Sequence, residues 1–207
     1  MGDRNVAIGY SALENYNPSS NEDSYNVAVG FAALESDTTG KNNTAIGGNA
    51  LIANTTGSNN TAVGTGALDT NVTNTDNTAV GYNSLTNSTN GPNTAVGSSS
   101  LAQVTDGYDN TAVGRSAGDA ITTGIRNTAV GDLSLTSATT SSYNTAVGRS
   151  SLANTTTGTQ NTAIGNGAGS ANTTGSYNVF VGDAAGDATT TAESIVAVGQ
   201  NALTNNT

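Results

Sequence analysis

The sequence predicts an all-β chain that folds as a parallel β-roll, or solenoid, with one coil per repeat and twelve coils in all. The first observation is a five-residue phrase that occurs twelve times with small variations. Its commonest form is the one at Asn60-Thr61-Ala62-Val63-Gly64. The second is its period, because nine of the eleven intervals between phrases are 17 residues, one is 16 and the first is 21. The third is that β-branched residues fill the phrase while turn-forming residues separate the copies.

Every phrase ends in a glycine, which indicates a backbone angle or a close approach that a Cβ would forbid. These repeat glycines are Gly9, Gly30, Gly47, Gly64, Gly81, Gly97, Gly114, Gly131, Gly148, Gly165, Gly182 and Gly199. Because each unit of a solenoid contacts chiefly its neighbours, so constant a period predicts a single repeat domain over residues 1–207.

The phrase itself predicts a short strand with two different faces. Val or Ile always precedes the glycine, and Thr or Val stands two residues before that, so both positions share one face. Ala and the leading Asn share the other face. We expect the β-branched face to line the interior and the flat Ala face to form a contact between subunits, because so thin a core requires association.

A second apolar segment follows each phrase. Leu stands four residues after the glycine in nine copies, Gly118, Gly169 and Gly186 replace it in three, and Ala or Ser always precedes this position. We expect a second short strand here, followed by a turn such as the one at residues 54–57. The longer first interval predicts one irregular insertion loop, at about residues 15–23.

The leading Asn has two interpretations. Its amide can pass hydrogen bonds from coil to coil as a ladder, or it can occupy a left-handed corner of the backbone, and both can hold. The ladder positions inside the regular part of the chain are Asn43, Asn60, Asn77, Asn110, Asn127, Asn144 and Asn161.

Composition excludes several functions. The chain has no Cys and no His, and its acids do not recur in register, so we expect no catalytic residues, no metal site and no cofactor. Its 15 acids against 5 bases, a net charge of −10, argue against nucleic acid as a partner. No apolar run is long enough for membrane insertion.

Two phrases carry a family resemblance. Asn5-Val6-Ala7-Ile8-Gly9 and Asn26-Val27-Ala28-Val29-Gly30 resemble the Ser-Val-Ala-Ile-Gly core of YadA-like head repeats in trimeric autotransporter adhesins. The Ala-Leu pair and the Asn-Thr-Thr-Gly turn are more similar to repeats of phage tail-fibre proteins. The resemblance implies a left-handed β-roll, a homotrimer, and an adhesive or receptor-binding role outside the cell, on a virion fibre or a cell surface. The coil is longer than in the adhesins, and Thr replaces Val in eight copies.

We therefore expect a non-enzymatic fibre element whose partners are its own copies, flanking fibre domains or end-on copies, and a cell-surface glycan or protein receptor. Tyr25, Tyr143 and Tyr177 occupy one register, five residues before the glycine, and Tyr108 lies one residue earlier in its own coil. On the edge of the roll these rings would stack on sugars, or they would cover its hydrophobic edge.

An ice-binding solenoid is the alternative function. An unbroken series of Thr residues recurs every 17 residues, with one interval of 16: Thr44, Thr61, Thr78, Thr94, Thr111, Thr128, Thr145 and Thr162. Val replaces Thr at both ends of this series, as a packed interior site would tolerate, which disfavours an exposed Thr surface.

Overall fold

The computed structural model describes residues 4–18 and 23–204, divided into two compact units, Met1–Asp106 and Gly107–Thr207. The described residues contain twelve short strands and no helix. The first unit holds β1 (Val6–Ile8), β2 (Val27–Val29), β3 (Thr44–Ile46), β4 (Thr61–Val63), β5 (Thr78–Val80) and β6 (Asn93–Val96). The second holds β7 (Asn110–Val113), β8 (Thr128–Val130), β9 (Thr145–Val147), β10 (Thr162–Ile164), β11 (Val179–Val181) and β12 (Val196–Val198).

Within each unit, every strand pairs in parallel with the strand of the next coil. Equivalent residues are direct partners, as Thr61 is of Thr78 in the first unit and Thr128 is of Thr145 in the second. Identical phrases therefore stack in register, one strand per coil. This confirms the predicted all-β parallel solenoid for both units.

The interior is the opposite of the predicted one. The Ala of nearly every phrase, for example Ala45, Ala62 and Ala146, is fully buried, whereas the Val or Ile beside the glycine is partly or largely exposed. The expectation that the β-branched face lines the core, and that the Ala face is a subunit contact, is therefore wrong. The Ala face is the inner wall of each coil.

Leu explains this inversion. Seven of the Leu side chains that follow the phrases are fully buried, and they occupy the interior opposite the strand. Little more than a methyl group then fits on the strand's inner face, so Ala faces inward and the bulkier β-branched side chains face outward. The fully buried members are Leu34, Leu51, Leu68, Leu85, Leu101, Leu135 and Leu152.

The Leu segment is a turn and not the predicted second strand. Alternate residues here have left-handed backbone angles, with φ of 53° at Ala32 and 51° at Leu34. Such angles curl the chain instead of extending it, yet the Leu34 N–H still donates to the Ala50 carbonyl of the next coil at 3.0 Å. The left-handed angle costs a Leu roughly 1–2 kcal/mol, and burial of its side chain returns about as much or more.

One interior exchange breaks the Ala–Leu pattern in the second unit. Phe180 replaces the strand Ala and is fully buried, while Gly169 and Gly186 replace Leu in two neighbouring coils. A Cβ at either glycine would collide with the Phe180 ring. The large ring therefore fills the space that two missing Leu side chains leave.

The leading Asn residues form the ladder. In the first unit the Asn60 N–H donates to Asn43 Oδ1 at 3.0 Å, and Asn43 Nδ2 donates to the Gly57 carbonyl at 2.7 Å. In the second unit the Asn144 N–H donates to Asn127 Oδ1, also at 3.0 Å. No leading Asn among the described residues has a positive φ, so the corner interpretation is wrong. The left-handed corner lies one residue earlier, as at Asn42 and Asn59.

Part of the insertion loop, residues 19–22, lies outside the described residues, and with it Glu22. The described start of the loop is bound to the second coil. The Asn17 N–H donates to the Thr38 carbonyl at 3.1 Å, and Asn15 Nδ2 donates to the Glu35 carbonyl at 2.9 Å.

Candidate functional site

The exposed surface of the strands is the first candidate site, and we call it the outer strand face. It consists of two columns in each unit, one of Val or Ile directly before the repeat glycine and one of Thr or Val two residues earlier. Ile8 is 61% exposed, Val113 38% and Val198 67%, so this column is open to solvent in both units. The Thr column is also at least partly exposed, at Thr61 and Thr145 for example.

The geometry of the outer strand face follows from the register. Parallel strands repeat at about 4.8 Å, so within each unit a column places one branched side chain per coil beside its equivalent in the next coil. Every side chain in the two columns is Thr, Val or Ile, so the face carries no charge on a chain whose net charge is −10. It is an uncharged, methyl-rich strip with one hydroxyl in most coils.

The corner directly after the repeat glycine borders this strip. In the first unit it presents Tyr10 and Phe31, whose exposed rings stack at 5.7 Å between centroids, and farther along Tyr82. In the second unit the same corner presents Arg115, Asp132 and Arg149, and Arg115 pairs with Asp132 at 2.9 Å. Sequence reasoning missed these residues, although three aromatic residues directly after repeat glycines were a signal.

The tyrosine edge is the second candidate site. Tyr143 and Tyr177 stand in one column of the second unit, two coils apart with Gln160 between them, and both rings are about half exposed. All three residues have left-handed backbone angles, which turn their side chains outward at the corner. Tyr108, one register position earlier, is half-buried.

Charged groups accompany the exposed tyrosines. Arg126 lies 5.7 Å from the Tyr143 ring centroid and donates to its hydroxyl at 3.0 Å. This hydrogen bond raises the pKa of Arg126 above its ordinary value. In the first unit Tyr25 makes the equivalent contacts, accepting from Arg4 Nη1 at 2.6 Å and donating to Asp23 Oδ2 at 3.2 Å. Asp109 Oδ2 lies 3.4 Å from Arg126 Nε, so the Tyr25 and Tyr143 sites each combine a ring with a cation and a carboxylate.

The acids that carry shifted pKa values lie away from these surfaces. Asp37 is buried inside the first unit, where desolvation raises the pKa of its carboxyl to about 6 although the Gly40 N–H and Asn54 Nδ2 donate to it. Desolvation also raises the pKa of Asp69. Among the described residues no three acids converge as a metal site, and no helix is long and apolar enough to cross a membrane.

The geometry of the described residues thus offers two surfaces for binding, the outer strand face and the tyrosine edge. Comparison of the chain with protein-family models, with curated proteins and with solved structures finds no match.

Proposed function

We propose that this chain is a non-enzymatic element of a self-associating fibre or surface adhesin, in which the outer strand face is buried between copies. The supporting observation is that face itself, where uncharged β-branched side chains stand in register on an otherwise polar, acidic chain. Each Val or Ile covered by a neighbour contributes roughly 1 kcal/mol, and the contribution recurs in every coil.

The assembly we propose is a trimer of left-handed rolls, located outside the cell on a virion fibre or cell surface. A flat strip with the same two columns in every coil is suited to contact with its own copies, because equivalent coils then meet equivalent coils. Flanking fibre domains, or further copies placed end to end, extend the fibre.

Receptor binding in this proposal belongs to the tyrosine edge. Tyr143 and Tyr177 offer half-exposed rings in one column, and Arg126 lies beside Tyr143 with its Nε 3.4 Å from Asp109 Oδ2. Rings stack on the apolar faces of sugars while charged groups bind hydroxyls, so a cell-surface glycan is the ligand class we favour over a protein receptor. A glycan array that binds the wild type and not the Tyr143→Ala/Tyr177→Ala double variant would support this site.

Native mass tests the assembly. We expect the wild type to have the mass of three chains by light scattering and native mass spectrometry. Val130→Glu with Val147→Glu should dissociate it, because two carboxylates would enter an uncharged contact. Thr140→Glu, on an exposed turn of the same coil, is the matched control and should leave the mass unchanged. A wild type that is monomeric at all concentrations would contradict the proposal.

Ice binding is the second candidate, and the outward direction of the Thr column favours it. The sequence-based objection, that Thr faces the interior, does not apply to this surface. In this case the chain would be monomeric and would show freezing hysteresis. Thr128→Lys with Thr145→Lys should abolish the hysteresis, whereas Tyr143→Ala should preserve it. A native trimer without hysteresis would exclude this candidate.

A further inference from the structure

We propose that Asn90 is a site of spontaneous deamidation. The fold promotes this covalent modification at Asn90 and suppresses it at the other Asn-Gly dipeptide of the chain. The chain contains two Asn-Gly dipeptides, Asn90-Gly91 in the first unit and Asn166-Gly167 in the second. Glycine has no side chain to shield its backbone nitrogen, so this dipeptide gives the nitrogen open access to the preceding amide. The two sites differ in what their glycine N–H binds.

At Asn90 the nucleophile already lies beside its target. The Gly91 N–H donates to Oδ1 of Asn90 itself at 3.0 Å, and this oxygen is bonded directly to Cγ, the atom that the nitrogen attacks. Among the described residues this N–H has no carbonyl partner in a neighbouring coil. The backbone carbonyl of Asn90 is held by Ser88 Oγ at 2.8 Å and by Asn93 Nδ2 at 3.1 Å. The reacting groups are therefore pre-positioned, which lowers the entropic part of the barrier.

At Asn166 the same nitrogen is occupied. The Gly167 N–H donates to the Arg149 carbonyl of the preceding coil at 2.9 Å, and Asn166 Nδ2 donates to Asp183 Oδ1 at 2.9 Å. Attack requires that the coil-to-coil hydrogen bond first break and the packed coil open, and a cost of about 1.4 kcal/mol for this step slows the reaction tenfold. Asn166 is thus an internal control with the same dipeptide chemistry.

The reaction needs only water. The Gly91 nitrogen loses its proton to hydroxide and forms a bond to Asn90 Cγ. The bond from Cγ to Nδ2 then breaks, and Nδ2 takes a proton from water and leaves as ammonia, which regenerates the hydroxide. Water then opens the five-membered imide at either carbonyl, giving Asp or isoaspartate at position 90. In the process the hydrogen bond from Asn90 Nδ2 to the Asp106 carbonyl, 3.1 Å in the intact protein, is lost and a negative charge replaces it.

Peptide mapping of the wild-type protein tests this proposal without any variant. The folded protein is aged in mildly alkaline buffer made with heavy-oxygen water, which labels every hydrolysed imide, and both sites are quantified over time by mass spectrometry. Synthetic peptides spanning each dipeptide give the deamidation rate in the absence of the fold. Dividing by that rate corrects for the different residues that follow the two dipeptides, Pro92 and Ala168.

We expect the ratio of native to peptide rate to be at least roughly tenfold larger at Asn90 than at Asn166, because only the Gly167 nitrogen must first break a backbone hydrogen bond to a neighbouring coil. Isoaspartate should accompany aspartate at position 90, since the imide opens on both sides. Equal ratios, a larger ratio at Asn166, or Asp at position 90 without isoaspartate would overturn the proposal.

Discussion

At the scale of single residues, the repeat glycine shows why one residue type recurs in every coil. Gly64 has a φ of 139°, a region that side chains avoid, and a Cβ there would collide with the Gly81 carbonyl of the next coil. The other repeat glycines have φ between 123° and 141°. The conformation and the stacking distance therefore each require glycine.

The first prediction compares two glycines one coil apart. Gly64→Ala should destabilise the first unit by about 2–4 kcal/mol, because backbone strain and a backbone clash add. Gly48→Ala is the control, since Gly48 has no positive φ and a Cβ added there would meet no atom within 4 Å. Urea unfolding monitored by circular dichroism measures both. Equal effects would mean that close stacking does not limit this position.

The second prediction concerns Asp37. Burial raises the pKa of its carboxyl from 3.8 to about 6, so the folded protein binds more protons than the unfolded chain between these values. Stability should therefore fall as pH rises through this window, by roughly 3 kcal/mol. Asp37→Asn removes the titration and matches Asn54 and Asn71, the residues at the same position in the next two coils.

Thermal unfolding at several pH values checks this expectation. The Asp37→Asn variant should unfold at a higher temperature than the wild type above pH 6, and the difference should diminish in acid where the wild-type carboxyl is protonated. A difference independent of pH would show that the ionisation of Asp37 has no energetic cost in the fold.

At the scale of elements, the interior of each coil is a fixed volume that the side chains of the turn and of the strand fill together. Leu from the turn and Ala from the strand fill the interior in most coils, and Phe180 with Gly169 and Gly186 is a second solution to the same constraint. The φ of 60° at Gly169 is close to the 49° at Leu152, so the turn accepts either residue. At Gly169 and Gly186 the absence of Leu therefore follows from the strand residue Phe180, whose ring occupies the space that a side chain there would need.

The third prediction is a compensation cycle. Phe180→Ala should cost about 3–5 kcal/mol, because it leaves a cavity in the second unit. Gly169→Leu with Gly186→Leu should also destabilise when Phe180 is present, since both side chains would collide with the ring. All three changes together should restore much of the stability, because they recreate the common Ala–Leu interior. Chemical unfolding gives the coupling energy, and additive effects would refute the shared-volume explanation.

At the scale of the whole molecule, an acidic chain with an uncharged face has opposing tendencies. The net charge of −10 keeps copies apart, whereas the outer strand face favours their contact. If the copies meet through that face, the repulsion between their net charges is long-range and salt screens it. The contact itself is uncharged, so salt does not weaken it by screening.

The fourth prediction follows from this balance. Association of the wild type should become tighter as salt rises from low to physiological concentration, as measured by sedimentation equilibrium. The Val130→Glu/Val147→Glu variant should remain dissociated at every salt concentration, because its carboxylates disrupt the contact itself. Weaker association at higher salt would indicate that ion pairs hold the copies together, and that the outer strand face is not the contact.

Much of this fold could be predicted from the period alone. A fixed interval with β-branched residues, a glycine and a leading Asn specifies parallel strands in register, because equivalent residues then make equivalent hydrogen bonds, as Asn43 does with Asn60. The tyrosine register was also predicted, since Tyr143 and Tyr177 are placed by the same period. The aromatic pair of Tyr10 and Phe31 was not, because nothing in one coil indicates that the next will stack a ring on it.

Local sequence determined which residues share a face, since alternation along a strand is a property of the backbone. Which face turns inward was decided only by the tertiary structure. Leu34 and its equivalents reach the interior from a left-handed turn that no strand pattern anticipates, and the space that remains admits Ala and excludes Val. Burial in so narrow a coil is thus set by the volume that facing side chains share, so the branched residues that looked like core became the outer surface.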